Sequence, residues 1–149
     1  MTAQIPESLS FEGQNLHIFA EPLRPWLALR RNKSIRFKRR NSALGRGYIG
    51  HWEVIDGRLY LVGIEGKFSD DKDATIADLF PESPERVFAA WFTGELRCPR
   101  GKMLGYSHAG YSSIYESDLF LRFEKGICVE QRTVTNQPPA PDEFDSAEG

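Results

Sequence analysis

Hydrophobic and polar positions alternate in paired short runs along most of this chain, the period-two pattern of half-buried β-strands, with turn residues between the runs. Gly47–Ile55 and Arg58–Ile64 are rich in β-branched and aromatic residues and are joined by Asp56-Gly57, a dipeptide suited to the positive φ angles of a type I′ turn. They predict a hairpin. Tyr48, Trp52 and Val54 fall on one face and Ile49 and Ile55 on the other, the two-sided cover of central strands. Ser117–Glu124 and Ile127–Thr135 predict a second hairpin, hinged at Lys125-Gly126, and Ser8–Phe11 with Leu16–Phe19 a third, turning around Glu12-Gly13-Gln14-Asn15. Glu95–Cys98 reads as a strand followed by a turn at Pro99-Arg100-Gly101-Lys102, and Arg36-Phe37-Lys38 as a short edge strand whose charges discourage edge-to-edge pairing.

Helix signals are fewer. Pro25 can open one turn through Leu29, and Thr75 can cap Ile76–Phe80 before Pro81 ends it. Ser83 as cap, Pro84 at the first helical position and Glu85 near the positive end of the dipole predict a helix over Ser83–Phe92, closed near Gly94. Its Val87, Phe88 and Trp91 stripe then packs on the sheet. The expected fold class is α+β: one domain over residues 1–136, a mainly antiparallel curved sheet built from hairpins, with one or two short helices packed on it. Residues 137–149 form a proline-rich acidic tail with little to bury, expected to be disordered.

Composition fits that picture. The 149 residues are 40% hydrophobic and 27% charged, enough apolar content for one core. The longest apolar runs fall far short of the roughly 20 residues that cross a bilayer, and the N-terminus lacks the order of a signal peptide, so the expectation is a cytoplasmic protein without membrane association. Cys98 and Cys128 are too few for a disulfide framework and read as reduced core thiols.

The net charge of −2 hides an asymmetry: the stretch from Arg24 to Arg46 holds nine of the 19 basic residues and no acid, leaving ten basic against 21 acidic residues elsewhere. Its candidate contact residues are Arg30, Arg31, Lys33, Arg36, Lys38, Arg39 and Arg40. Such a patch neutralises phosphates, with Trp26, Phe37 or Tyr48 available to stack on bases, or it docks an acidic protein, or it pairs with the chain's own acids. The acidic remainder repels a polyanion outside the patch, which ranks nucleic acid below a protein partner.

Three segments carry a family resemblance. Gly47-Tyr48-Ile49-Gly50-His51-Trp52-Glu53-Val54-Ile55-Asp56-Gly57-Arg58-Leu59-Tyr60-Leu61, Val87-Phe88-Ala89-Ala90-Trp91-Phe92-Thr93-Gly94-Glu95-Leu96-Arg97 and Tyr106-Ser107-His108-Ala109-Gly110-Tyr111-Ser112-Ser113-Ile114-Tyr115-Glu116-Ser117-Asp118-Leu119 resemble a family of small, uncharacterised bacterial proteins, over roughly residues 5–136. The resemblance implies a bacterial cytosolic origin and one compact domain. It implies no reaction, cofactor or catalytic residue.

The Gly105–Glu116 segment groups Tyr106, His108, Tyr111, Ser112, Ser113, Tyr115 and Glu116 among glycines, a set able to hydrogen-bond and stack on a small molecule or a partner loop. The plainer alternative has the tyrosines leaning on the sheet and the serines satisfying loop backbone. A hydrolase using Ser112 or Ser113 with His108 and an acid ranks last, because no G-x-S-x-G elbow is present. His17, His51 and His108 lack the spacing of familiar zinc motifs, and the glycines at 45, 47 and 50 lack the partners of a phosphate loop, so no metal and no cofactor are expected. The leading expectation is a non-enzymatic cytosolic binding or accessory protein, of the immunity or partner-inhibiting kind.

Overall fold

A computed structural model describes residues 4–39, 42–105 and 114–137. The strands are β1 (Glu7–Phe11), β2 (Gln14–Ile18), β3 (Tyr48–Ile55), β4 (Arg58–Gly66), β5 (Val87–Phe88), β6 (Gly94–Gly105), β7 (Ile114–Glu124) and β8 (Ile127–Thr135), with helices α1 (Arg24–Leu27) and α2 (Ile76–Leu79) between them. All form one sheet in the order β2-β1-β3-β4-β8-β7-β6, with β5 a second partner of β4. Among the described residues only β1 and β3 pair parallel, and every other pair is antiparallel.

The three expected hairpins form, and one device makes them. Glu12-Gly13, Asp56-Gly57 and Lys125-Gly126 each place two consecutive residues at positive φ, which matches the twist of the flanking strands. The first hairpin is tighter than the sequence suggests: Gln14 and Asn15 already pair with Phe11 and Ser10, so the turn is two residues rather than four.

The sheet folds into two blocks. β4 and β8 pair only where their hairpin ends meet, at Arg58 and Ile127, reinforced by Leu59 N–H to Gly126 O and Cys128 N–H to Gly57 O at 2.8 and 2.7 Å. The far edges approach each other as well, with Phe19 N–H donating to Arg97 O at 2.7 Å, but no ladder among the described residues closes the sheet into a barrel. Leu9, Ile18, Trp52, Leu59 and Leu61 from one block and Leu96, Cys98, Leu119, Leu121 and Phe123 from the other form one buried cluster.

The expected helix over Ser83–Phe92 does not exist. Val87 and Phe88 are a two-residue strand paired with Leu61 and Tyr60, followed by a turn whose Phe92 carbonyl accepts from Gly126 N–H. The cause lies in β4: once β8 diverges, its backbone groups need another partner, and a helix cannot supply one. The observed fold is therefore mostly β rather than α+β. Both helices are four residues long.

The other local expectations divide. Thr75 caps α2 in a complete capping box with Asp78, as expected, whereas α1 begins one residue before Pro25 and ends at Leu27, short of the expected Leu29. The turn expected at Pro99–Lys102 lies within β6 as an irregularity in pairing, with Gly101 at φ +81°. Arg36–Lys38 makes only an isolated bridge, between Phe37 and Phe68.

One end of the core is closed by aromatic rings. Trp91 stacks on Phe80 at 5.5 Å and 11°, Phe80 meets Trp26 at 4.3 Å, and Trp91 stands edge-on to Trp52 at 6.4 Å. Trp91 thus packs on the core as the sequence suggests, though from a turn.

No helix among the described residues is long and apolar enough to cross a membrane. The tail from residue 138 lies outside the described residues.

Candidate functional site

The basic segment is held against the core by its apolar residues. Leu23 and Trp26 are buried, and Ile35 and Phe37 pack partly buried against the same cluster. Buried Asn32 donates from Nδ2 to Trp26 O at 2.8 Å, fixing the 3₁₀ turn Arg30–Asn32 on the first helical turn. This scaffold leaves Arg24, Arg30, Arg31, Lys33, Arg36, Lys38 and Arg39 exposed.

Their engagement differs from that of the other arginines. Arg97 pairs with Asp118, Arg122 with Glu124 and Glu130, and Arg132 with Glu95; Arg100 donates to Gln14, and Arg58 and Arg86 lie over the rings of Phe88 and Tyr60. Arg24, Arg30, Arg31 and Arg39 have no such partner among the described residues. Lys38 pairs with Asp71, and Arg36 donates to the backbone carbonyl of Lys33. Arg40 lies outside the described residues.

The three rings able to stack on bases pack against other rings of the molecule, Trp26 and Tyr48 buried and Phe37 partly buried. Trp26 lies against Phe80, and Phe37 is sandwiched between Phe68 at 5.3 Å and the buried Tyr48 at 4.8 Å.

Beside this face opens a cleft of about 550 Å³, lined by Gln4, Glu21, Arg24, Arg36, Arg46 and Tyr48 with apolar Leu27, Ile35 and Phe37. Behind it lies a buried network that the sequence did not reveal. Glu7, with no solvent exposure, accepts from Trp52 Nε1 at 2.8 Å, Gly50 N–H at 2.9 Å and Arg46 Nε at 3.1 Å. Arg46 Nη2 donates to Ile5 O at 2.8 Å, and the guanidinium lies 5.6 Å from the Tyr48 ring centre. Burial pushes the Glu7 carboxyl above its ordinary range, while the Gly50 amide, the Trp52 indole and Arg46 pull it down. Glycine is required at position 50, where a Cβ would stand 2.7 Å from both Glu7 Oε1 and Trp52 Nε1.

Of the residues expected to form a site at the second hairpin's entry, Tyr106, His108, Tyr111, Ser112 and Ser113 lie outside the described residues. Tyr115 and Glu116 lie at the start of β7. Tyr115 is half-buried, edge-on to Phe19 at 5.8 Å, and Glu116 Oε1 accepts from Lys102 N–H at 2.5 Å. Tyr115 also borders a second cleft of about 550 Å³, with Asn15, His17, Phe19 and Arg100.

Strand pairing also creates a triad-like arrangement that linear spacing conceals. Ser8 Oγ lies 2.6 Å from His51 Nδ1, and His51 Nε2 lies 2.5 Å from Glu65 Oε2, because β1 pairs Ser8 directly with His51. Its surroundings do not suit acyl transfer. β1 is bordered on both sides, Ser8 pairing with His17 and His51, so the neighbouring amides serve the ladder rather than an oxyanion. Glu65, at 62% exposure, orients the ring through solvent-screened contact.

Cys98 is buried and its thiol is pushed up to about 12 by desolvation; Cys128 is partly exposed, donates to Glu130 O and is also raised by burial. Among the described residues no three His, Cys, Asp or Glu side chains are grouped to hold a metal ion. No protein-family model, curated protein or solved structure matches this chain.

Proposed function

We propose that this protein is a non-enzymatic binding protein of the cytosol that docks an acidic protein partner on the face formed by residues 24–39, acting as an accessory or partner-inhibiting factor. One observation carries the reading. Every described arginine from Arg46 onward is engaged by a carboxylate, an amide or an aromatic ring, whereas Arg24, Arg30, Arg31 and Arg39 are exposed and unpaired in one segment. Unpaired like charges repel one another and retain their capacity for an outside anion, which favours steered association. A bacterial origin, as the family resemblance implies, belongs to the same proposal.

Protein ranks above nucleic acid because Trp26, Phe37 and Tyr48 support the core, leaving phosphate attraction without the stacking that single-strand binders use. The test compares a 20-residue peptide rich in Asp and Glu with duplex and single-stranded oligonucleotides, against wild type and the triple variant Arg30→Glu, Arg31→Glu, Arg39→Glu. Peptide binding in the micromolar range, lost in the variant, supports the reading. Oligonucleotide binding is expected no tighter than the non-specific range, on the order of 10⁻⁴–10⁻⁶ M at physiological salt. Sub-micromolar, sequence-dependent oligonucleotide binding that the variant abolishes transfers the face to nucleic acid.

A further inference from the structure

We propose that the cleft beside Tyr48 is a carboxylate site, in which Arg46, flanked by Arg24 and Arg36, seats one acidic side chain of the partner. The proposal rests on the docking reading above and locates its anchor point. The arginine is built in rather than draped on the surface: its side chain is 8% exposed and is held by Glu7 through Nε and by Ile5 O through Nη2. Its third nitrogen, Nη1, is buried and has no hydrogen-bond partner, the single such side-chain atom found among the described residues.

An orphan of this kind has a cost. The great majority of buried polar atoms in folded proteins are satisfied, so an unmet guanidinium N–H on a residue that lines a cleft points to a group supplied from outside. A guanidinium nitrogen has only donors, and its complement is therefore an acceptor, best an anion.

Charge selects the anion. The cleft and its backing hold three cations, Arg24, Arg36 and Arg46, against two acids, Glu7 and Glu21. The balance suits one negative charge, as on a carboxylate, better than the two of a phosphate monoester. The apolar wall of Leu27, Ile35 and Phe37 can cover the methylene stem of a glutamate. Nη1 has less than 1 Å² open to solvent, so seating the anion requires side chains that line the cleft to change rotamer.

Sodium acetate is the probe, titrated into ¹⁵N-labelled protein with sodium chloride at matched ionic strength and sodium phosphate in parallel. The Arg46 Nε–H, Gly50 N–H and Trp52 indole N–H signals are followed, because all three donate to Glu7 and sense the guanidinium. Saturable shifts with acetate, at a dissociation constant on the order of 10 mM and absent with chloride, are expected. The exposed-site variant Arg24→Gln with Arg36→Gln, which leaves the Glu7 network intact, is expected to weaken acetate about tenfold. Shifts that only follow ionic strength, binding unchanged in that variant, or phosphate preferred over acetate each overturn the assignment; the first result means that water alone meets Nη1. Acetate and the acidic peptide, each titrated into wild type, separate the two readings. Acetate binding that persists while the acidic peptide fails to bind even wild type leaves the cleft standing and removes the docking reading; peptide binding without acetate binding does the reverse.

Discussion

The indole Nε1 of Trp52 donates to Oε1 of Glu7 at 2.8 Å, so a carboxyl with no solvent exposure is held from inside the core by a residue 45 positions away. Two further donors share its other oxygen, Gly50 N–H and Arg46 Nε. Glu7→Gln keeps the shape but turns an amide NH₂ toward donors, and is expected to cost about 1–3 kcal/mol. Glu7→Ala also strands the Arg46 charge, and about 3–5 kcal/mol is expected. Urea denaturation of both variants checks the order; a neutral Glu7→Ala contradicts it.

The same carboxyl sets a pH dependence. Burial raises its folded-state value above 4.5, so between 4.5 and that value the folded chain binds a proton that the unfolded chain releases. Its contribution is fully present below about 4.5 and is lost as pH rises through the folded value. Wild type is thus expected to gain stability relative to Glu7→Gln as the pH is lowered toward 4.5. The opposite slope means that the three donors outweigh desolvation and keep the group ionised.

Gly50→Ala tests the tightness of the network. The new methyl would meet Glu7 Oε1 and Trp52 Nε1 at 2.7 Å, with both partners buried and unable to withdraw. A loss of about 1–3 kcal/mol is expected, in the range of overpacked cores, with a shifted Trp52 fluorescence spectrum. An unchanged midpoint argues against the close approach.

Trp91 ties the first loop to the aromatic end of the core, donating from Nε1 to Pro22 O at 2.8 Å while stacking on Phe80. Trp91→Phe removes the hydrogen bond and keeps most of the ring, for about 1 kcal/mol. Trp91→Ala removes both and is expected near the low end of about 3–5 kcal/mol, since the ring is only partly buried. Equal losses for the two variants indicate that packing contributes little.

The two thiols should separate by rate. Cys98 is buried with its thiol near 12, whereas Cys128 is partly exposed, so native protein treated with iodoacetamide at pH 8 is expected to label at Cys128 first and at Cys98 only on unfolding. Peptide mapping reads the outcome, and early Cys98 labelling contradicts the burial.

What the linear order determined is local. Asp56-Gly57 and Lys125-Gly126 specify their hairpins because two positive φ angles and flanking β-branched runs need nothing from the rest of the chain. Thr75 and Asp78 specify their cap in four residues. The basic segment is visible for the same reason, its charges being contiguous. The tertiary structure decided everything that depends on who sits beside whom. Ser83–Phe92 carries good helix signals, yet β4 lacked a backbone partner beyond the reach of β8, and pairing that edge outweighed local propensity. The burial of Glu7 among Gly50, Trp52 and Arg46 and the meeting of Ser8 with His51 join residues 39 to 45 positions apart, and which arginines pair with acids likewise depends on strand register. Trp26, Phe37 and Tyr48 read as free for stacking until the fold closed over them, because burial is a property of the packed chain and not of the residue.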